Sequence, residues 1–303
     1  MILRVLAFAC VMLAVGAAHS ADLTRTYSEA QHNNCSFGTA HVDLLRKHKV
    51  LLVPGYFSDI DPSYFSDQLQ WLASLSVERE KVAVESRQSV AVNAPIIAAA
   101  IRTAKLPVIL ITHSKGSVDA LEAMRTEPAL HTKVKGWVSL QGAFHGSPVA
   151  DMLLDEQRFN PLLAALILGL LGGTKESAHG LTTGAARAYL KTHAAAISAL
   201  VRTVPAVAFA SALDGAEAKS RLELPRQMMW RAGIRNDGLI PLDAAVLPGM
   251  DFVKITGVDH IAPVMRAELP FDRVRMTKAL LLALRTPFRD LPRDAACVDD
   301  RRR

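Results

Sequence analysis

Residues 108–124, VILITHSKGSVDALEAM, join a β-branched apolar run to a segment whose apolar side chains have helical spacing. Residues 106–114 predict a buried strand, and residues 115–128 predict a helix that ends at a proline. Ser114 stands at the junction, and Gly116 follows two residues later. A sharp strand-to-helix turn projects the side chain at its tip away from both elements. Ser114 is therefore either a nucleophile on such a turn or a residue of an ordinary connection.

The rest of the chain repeats this alternation of apolar runs and helical patterns. Further strands are predicted over residues 49–55, 81–86, 134–143, 204–212 and 251–256. Further helices are predicted over residues 62–75, 93–104 (with Asn93 as N-cap) and 272–285. The strands are continuous apolar runs, which is typical of strands buried on both faces of a parallel sheet. The pattern predicts an α/β fold with a mostly parallel central sheet and helices on both faces.

The composition indicates a globular domain with no nucleic-acid partner. Half of the 303 residues are hydrophobic and 21% are charged, which suits a sizeable core. The sequence shows no internal repeat and no low-complexity linker, so residues 21–303 are expected to form one domain. The net charge of +6 is scattered, apart from residues 301–303. Because no basic stripe is interleaved with aromatic residues, nucleic-acid binding is not expected.

The first twenty residues have the pattern of a signal peptide. Arg4 precedes the apolar run at 5–18, and Ala18 and Ser20 are the small residues before a cut ahead of Ala21. The apolar run is short for a transmembrane anchor. The sequence therefore predicts a signal peptide over residues 1–20 and export, to the periplasm or the extracellular space.

Removal of the signal peptide would leave two cysteines, Cys35 and Cys297. In an oxidising compartment this even number favours a disulfide between the N-terminal arm and the C-terminal tail, with two free thiols as the alternative. The sequence has no Cys-x-x-Cys, no His-Glu-x-x-His, no carboxylate loop of calcium spacing and no glycine-rich phosphate loop. No metal and no nucleotide cofactor is therefore expected.

One connection is longer than a simple crossover in a compact domain. About 60 residues separate the strand near residue 140 from the strand near residue 206, and they include the apolar run NPLLAALILGLLGGT at 160–174. That run is too short to span a bilayer. It is either a buried core helix or part of a cap over a site. The sequence therefore predicts a cap or lid insertion over residues 152–200.

A serine hydroxyl needs a base and an oxyanion site to act as a nucleophile. Small residues two before and two after the serine relieve crowding at the turn; Gly116 satisfies this, whereas Thr112 is larger than the usual glycine. The Lys115 amide would begin the helix and face the oxyanion. The Tyr56 amide, after the Pro54-Gly55 turn, is the expected second donor.

The base is expected late in the chain, after the last strand. Of the ten histidines, His260 alone has that position. His113 precedes Ser114, and its side chain is expected to point away along the strand end. His145 follows another strand and is expected at most to line the site.

The acid that orients the base has several candidates. Asp237 stands between two strands in an Asn-Asp-Gly turn, and Asp214 directly follows a strand. Asp243 and Asp259 are weaker candidates. The residues alone leave this choice open.

Five segments together resemble the α/β-hydrolase superfamily, in particular its bacterial lipases and esterases. The resemblance covers about residues 48–285 and depends on VPGYFSD (53–59), THSKGSVDAL (112–121), LQGAFHGSPVAD (140–151), NDGLIPL (236–242) and GVDHIAPV (257–264). It implies an α/β-hydrolase fold with a helical cap or lid and a catalytic triad in the order Ser, Asp, His.

The resemblance also bears on individual residues. In similar lipases the aspartate of an Asn-Asp-Gly-Leu segment is the triad acid, which favours Asp237 over Asp214. Asp151 is expected to be structural. Lipases of this kind often have a mobile lid and sometimes a structural calcium ion, for which this sequence shows no specific ligand set.

The implied function is hydrolysis of carboxylic esters or lipids through an acyl-enzyme on Ser114. His260 would be the base, Asp237 its partner, and the amides of Tyr56 and Lys115 the oxyanion donors. Transient contact with lipid interfaces would accompany a lipid substrate. The same residues would serve a thioesterase, a polyester depolymerase or an acyltransferase, and a non-catalytic binding protein of the same fold is the alternative from another class.

Overall fold

Six strands form a parallel sheet at the centre of the described residues. They are β1 (Lys49–Val53), β2 (Glu78–Lys81), β3 (Val108–His113), β4 (Val134–Leu140), β5 (Ala206–Ala212) and β6 (Asp251–Thr256). Their order in the sheet is β2-β1-β3-β4-β5-β6, and every pairing is parallel. The predicted mostly parallel sheet is confirmed.

The computed structural model describes residues 20–33, 37–56, 58–154, 175–215, 220–266, 270–285 and 288–291. The predicted signal peptide up to residue 19, both cysteines of the predicted disulfide and the apolar run at 160–174 lie outside the described residues. These predictions stay untested.

Helices cover both faces of the sheet. They are α1 (Thr24–His32), α2 (Thr39–Leu45), α3 (Ser66–Ser74), α4 (Val90–Thr103), α5 (Lys115–Thr126), α6 (Pro148–Leu154), α7 (Lys175–His179), α8 (Thr183–Thr192), α9 (Ala194–Thr203), α10 (Glu223–Arg231) and α11 (Arg273–Ala283). Helices α4, α5 and α9 pack on one face of the sheet, and α1, α3 and α11 pack on the other.

Successive residues of one strand belong to different cores. Leu51 and Val53 of β1 pack in the core under α4 and α5, whereas Val50 and Leu52 pack in the core under α3 and α11. Side chains of a strand alternate between its two faces, so a strand buried on both faces is apolar at most of its positions. This explains the continuous apolar runs in the sequence.

The edge strand β2 lies earlier than predicted. A strand was expected over residues 81–86, but β2 spans Glu78–Lys81 and its residues are largely exposed. The residues of this edge strand are polar, so they do not form an apolar run. The apolar pattern in the sequence therefore begins at the residues that follow β2. Val82 is one of these, and its amide donates to the Leu52 carbonyl at 2.9 Å.

Asn93 lies inside α4 and is not its N-cap, contrary to the expectation from sequence. The cap position is Ser89, and α4 begins at Val90. The Asn93 side chain is buried and bonds the backbone of Glu85 and the carboxylate of Asp119. Its hydrogen bonds therefore connect α4 to α5.

The described parts of the predicted 152–200 insertion are helical. Helices α6 and α7 lie at either side of the undescribed residues, and α8 and α9 follow them. Ile197 and Leu200 of α9 pack in the main core, so the end of this segment is part of the sheet's helical layer. Within the described ranges, no helix has both the length and the apolar character needed to cross a membrane.

The sheet changes its direction of winding between β1 and β3. Strand β1 pairs with β2 on one side and with β3 on the other, and the register aligns Val53 with Thr112. The loops that follow these two strands therefore begin side by side at one edge of the sheet. Ligand sites in open parallel sheets form at such a switch point, outside the carboxyl ends of the strands.

Candidate active site

Ser114 occupies a strained turn between β3 and α5. Its backbone has φ 54° and ψ −129°, a conformation that residues with a Cβ adopt rarely and at a cost of about 1–3 kcal/mol. The Ser114 amide donates to the Leu140 carbonyl of β4 at 2.9 Å, which ties the turn to the sheet. The structure thus places Ser114 on the sharp turn that the sequence predicted.

Two glycines allow the β1 loop to lie against this turn. A Cβ atom on Gly116 would lie 2.5 Å from the Pro54 carbonyl oxygen and 2.7 Å from that of Val53. A Cβ atom on Gly55 would lie 2.8 Å from the Cβ of Ser114. Neither position has room for a side chain, because at both glycines the backbone of the β1 loop lies against the backbone of the turn after β3. The close approach of the two loops therefore depends on Gly55 and Gly116.

Thr112 stands where the usual motif has a glycine, and a buried hydrogen-bond network accommodates it. The Thr112 hydroxyl lies 2.7 Å from the Ser117 hydroxyl and accepts from the Trp137 indole N–H at 2.9 Å. Ser139 of β4 donates to Ser117 at 2.9 Å. These bonds satisfy polar atoms that would be costly to bury alone. The larger residue thus connects β3, β4 and α5 without blocking the turn.

His260 contacts Ser114 on one side and Asp237 on the other. The distance from His260 Nε2 to Ser114 Oγ is 2.9 Å, and from His260 Nδ1 to Asp237 Oδ2 it is 2.8 Å. The carboxylate accepts the Nδ1–H proton, so Nε2 is left to accept the serine proton. All three residues are at most 9% exposed. The structure therefore brings Ser114, His260 and Asp237 into one hydrogen-bonded chain.

The turn around Asp237 fixes the direction of its carboxylate. Its Oδ1 accepts the amides of Leu239 at 2.9 Å and Ile240 at 2.8 Å, which leaves Oδ2 for His260. The Asp237 carbonyl also accepts the His260 amide at 2.8 Å. Gly238 has φ 111°, and a Cβ there would lie 2.7 Å from the Leu222 side chain. The Asn-Asp-Gly turn thus supplies both the backbone freedom and the space that the acid loop requires.

The rival acids and histidines have other partners. Asp214 pairs with Arg235 and is 41% exposed, and Asp243 pairs with Lys254. Asp259 accepts from Ser220 and from two backbone amides of its own turn. His145 lies 3.1 Å from the Val246 carbonyl. None of these four described side chains is hydrogen-bonded to His260 or Ser114.

His113 does not point away from the site, in contrast to the expectation from sequence. Its ring is buried, and its centroid lies 4.7 Å from that of His260. Burial lowers the pKa of His113 well below the usual histidine range, and the neighbouring His260 lowers it further. The strand turns at Ser114, so the residue before it faces the back of the base. His113 is thus neutral and packed against His260.

Lys115 has its side chain buried beneath the turn. Its Nζ lies 2.7 Å and 2.9 Å from the two carboxylate oxygens of Asp119 and 5.5 Å from the ring centroid of Tyr56. Burial lowers the pKa of Lys115 and raises that of Asp119, and the contact between them opposes both changes. This ion pair therefore connects α5 to the ring of the residue whose amide is the expected oxyanion donor.

The two expected oxyanion donors come from adjacent elements. Lys115 is the first residue of α5, and amides in the first turn of a helix have no intrahelical acceptor. Tyr56 follows Gly55 in the loop that lies against Ser114, and its side chain lines the same cavity as Ser114. The structure thus brings both residues to the turn that carries Ser114.

An apolar cavity opens beside Ser114 and His260. Its volume is about 390 Å³, which is within the range of small-molecule sites. The apolar residues that line it come from α6, from α7 and the turn after it, from α10 and the loop after it, and from the loops after β4, β5 and β6, namely Ala143, Val149, Ala150, Met152, Leu153, Ala178, Leu181, Leu222, Leu224, Pro225, Met228, Leu239, Ile240, Ile261 and Met265. The hydrogen-bonded chain therefore faces a site suited to an apolar ligand.

Sequence reasoning missed several residues that support this site. Tyr64 bonds both Gly55 and His113, and buried Gln141 donates to Ser211 and to the Asp259 carbonyl. Tyr64 has no motif spacing relative to Ser114, and Gln141 stands in the LQGAFHGSPVAD segment without a pattern that singles it out. Asp151 accepts from the amide and hydroxyl of Thr183, which agrees with its expected structural position.

No group of three or more His, Cys, Asp or Glu side chains in the described ranges could hold a metal ion.

Known structures share this architecture. The metagenomic carboxyl esterase MGS0156 aligns with a TM-score of 0.65 over 78% of this chain and 74% of its own, at 23% identity. The mature lipase BlEst2 of Bacillus licheniformis aligns with a TM-score of 0.58 over 71% of this chain and 85% of its own, at 19% identity. Protein-family models and curated proteins give no match.

The structural likeness defines the class of fold. With the parallel sheet and the turn at Ser114, it shows that this chain has the α/β-hydrolase fold. The resemblance that the five sequence segments indicated is thereby confirmed at the level of the fold.

Replacement of Gly116 by alanine tests the contact between the two loops. A Cβ atom 2.5 Å from the Pro54 carbonyl forces backbone apart, so Gly116→Ala is expected to lower the free energy of unfolding by about 1–3 kcal/mol. Gly184→Ala is the matched control, because nothing lies within 4 Å of that position in α8. Urea denaturation measures both variants. Equal stabilities for the two would show that the contact is not tight.

Proposed function

We propose that this protein is a serine hydrolase that cleaves carboxylic esters with apolar acyl groups, of the lipase or esterase type. The observation that carries the proposal is the hydrogen-bonded chain from Ser114 through His260 to Asp237 beside an apolar cavity. The two named structural relatives, a carboxyl esterase and a lipase, support this reaction class.

The proposed reaction begins with attack of Ser114 Oγ on the ester carbonyl carbon. His260 Nε2 removes the serine proton as the new bond forms, and the amides of Tyr56 and Lys115 stabilise the oxyanion. His260 then protonates the leaving alcohol, which departs and leaves an acyl group on Ser114. Water, activated by His260, hydrolyses the acyl-enzyme and restores the serine.

Asp237 acts through His260. Its carboxylate holds the Nδ1–H tautomer and stabilises the imidazolium that forms when Ser114 is deprotonated. Because Asp237 already accepts two backbone amides, its orientation is set before substrate binds. This preorganisation lowers the cost of reaching the transition state.

The proposed substrate follows from the cavity lining. Leucine, isoleucine, valine and methionine side chains surround the space next to Ser114, so an acyl chain would be desolvated there. Leu224 and Met228 are also partly exposed, which would allow transient contact with a lipid interface. Residues 1–20 support export, so we propose that the substrate is met in the periplasm or outside the cell.

The first prediction from this proposal concerns the nucleophile. Ser114→Ala is expected to reduce hydrolysis of p-nitrophenyl esters at least about 10³-fold, because no acyl-enzyme can form. A fluorophosphonate should label the wild-type chain at Ser114 and leave the variant unlabelled. Assays over a series of acyl lengths would show whether turnover rises with chain length. Full activity in Ser114→Ala, or no labelling of the folded wild-type chain, would overturn the proposal.

The second prediction separates Asp237 from its rival. Asp237→Asn is expected to lower kcat by about 10²- to 10⁴-fold, because an amide would favour the wrong tautomer of His260. Asp214→Asn removes an exposed carboxylate paired with Arg235 and should leave kcat within about twofold. Steady-state measurement of kcat for the two variants identifies which aspartate is the acid. A loss confined to Asp214→Asn would assign the acid to Asp214 instead.

A further inference from the structure

A buried hydrogen-bond chain runs behind Ser114 and His260. The Gly55 amide donates to the Tyr64 hydroxyl at 2.8 Å, and that hydroxyl lies 2.5 Å from His113 Nδ1. His113 Nε2 lies 2.9 Å from the His260 carbonyl oxygen. Tyr64, His113 and His260 are all buried. The chain thus connects the loop after β1 to the backbone of the proposed base.

The donors and acceptors of this chain have only one consistent arrangement. The His260 carbonyl can only accept, so His113 Nε2 carries a proton and donates it. Because the buried ring is neutral, Nδ1 is unprotonated and accepts the proton of the Tyr64 hydroxyl, whose oxygen accepts the Gly55 amide. Gln141 Oε1, 3.3 Å from Nε2, offers a second acceptor. The tautomer of His113 is therefore set by its neighbours.

Both side chains are neutral. Burial raises the pKa of Tyr64, and burial together with the charge on His260 lowers the pKa of His113. Among the described residues, the titratable groups in contact with the His113 ring are Tyr64 and His260. A neutral chain adds hydrogen bonds beside the base without adding a charge that would oppose the imidazolium.

We propose that Tyr64 and His113 are positioning residues. They fix the relative positions of three parts of the site: the loop that carries Tyr56, the turn that carries Ser114, and His260. This inference rests on the proposed hydrolase function. Gly55 has no side chain to restrict it, so the hydroxyl of Tyr64 orients the Pro54–Gly55 peptide, one residue before the Tyr56 amide. His113 is covalently joined to Ser114 and hydrogen-bonded to the His260 backbone. Catalysis is sensitive to displacements of about 1 Å, so loss of these bonds should reduce turnover more than binding.

Tyr64→Phe is the direct test, since it removes one oxygen and keeps the ring. It should lower kcat about tenfold and leave KM within about twofold. Tyr27→Phe is the matched control, because Tyr27 is also buried and also hydrogen-bonded, to Gln31, but lies away from Ser114. Fluorophosphonate labelling should slow in parallel with kcat in Tyr64→Phe alone. A wild-type kcat in Tyr64→Phe would overturn the inference.

Variants of His113 test whether the two residues act as one unit. His113→Gln keeps a donor for the His260 carbonyl and should retain more activity than His113→Leu. If the two residues act through one hydrogen-bond chain, the double variant Tyr64→Phe/His113→Leu should have a kcat only slightly below that of His113→Leu alone. Additive losses would contradict a shared role.

A spectroscopic measurement is independent of turnover. In ¹⁵N-edited NMR of the wild-type chain, His113 should show the neutral Nε2–H tautomer. Tyr64→Phe should shift the His113 Nδ1 resonance. An inactive wild-type chain with this signature would overturn the proposed function alone, whereas an active chain with a different tautomer would overturn the positioning role.

A second inference comes from a different part of the molecule, the edge of the sheet at β6. The Ala21 amide nitrogen lies 2.8 Å from Oδ1 of Asp251, whose side chain is 2% exposed. Arg285 contacts both oxygens of the same carboxylate at 2.6 Å. The Phe252 amide donates to the Ala21 carbonyl, and the Leu23 amide donates to the Phe252 carbonyl. Ala21 is therefore held against β6 by backbone as well as side-chain contacts.

The sequence predicts a cut between Ser20 and Ala21. Hydrolysis of that bond adds a hydroxyl to the Ser20 carbonyl carbon and leaves an amine on Ala21, which is protonated at neutral pH. We infer that processing before Ala21 creates an α-ammonium that forms an ion pair with Asp251. The charged groups at this position are Asp251, its partner Arg285, and Asp22, the next residue of the chain, on whose carboxylate Lys254 acts. In the uncut chain, Ala21 contacts Asp251 through a neutral amide. Cleavage would replace that amide with a charged ammonium and so strengthen the contact in the mature protein.

The pH dependence follows from linkage. An α-ammonium paired with a carboxylate has a folded-state pKa above its unfolded value of about 7.7–8.0. Its stabilisation is therefore complete below that value and is lost as the pH rises through the folded-state pKa.

Thermal unfolding of three chains tests this inference. At pH 6.5 the chain that begins at Ala21 should have a Tm about 2 °C or more above its Nα-acetylated form, and the difference should shrink at pH 9.5. Asp251→Asn should abolish the difference. Equal Tm values at pH 6.5, or a difference that persists in Asp251→Asn, would overturn the ion pair. Mass spectrometry of exported protein should give Ala21 as the first residue, and another first residue would overturn the processing site.

Discussion

The close approach of the β1 loop to the turn after β3 is the constraint on which the rest of the site depends. Gly55 and Gly116 leave no room for a Cβ atom, so backbone of one loop lies directly on backbone of the other. This contact places the residue after Gly55 next to Ser114. It also lies at the point where the sheet changes its direction of winding, so the two loops leave adjacent strands on a common edge.

Buried polar groups around this contact are paired, and their pairing gives the site its rigidity. Thr112 joins β3 to β4 and α5, Lys115 and Asp119 form an ion pair under the turn, and Tyr64 with His113 joins the loop to the base. A buried donor or acceptor without a partner is costly, so such networks favour one arrangement of their members. The strained backbone of Ser114 is held by this surrounding structure.

Much of the fold could be predicted because the strands are buried on both faces. Burial on both faces favours apolar residues at successive positions, and such runs are visible in the sequence at β1, β3, β4 and β5, although β4 includes the exposed Lys135. The exposed edge strand β2 gives no such run and was misplaced. Asn93 was assigned to a cap by local pattern, whereas its side chain is used in a contact between α4 and α5. A prediction from local sequence is wrong for a polar side chain when a tertiary contact determines its hydrogen-bond partners.

The sequence by itself determined the order of strands and helices, the position of Ser114 at a strand-to-helix junction, and the presence of His260 after the last strand. These are local features, set by periodicity and by neighbours in the chain. Only the tertiary structure decided that Asp237, and not Asp214, lies against His260, that His113 packs behind the base, and that Tyr64 belongs to the site. Those contacts join residues far apart in the chain, and their distances depend on how the sheet and its loops pack.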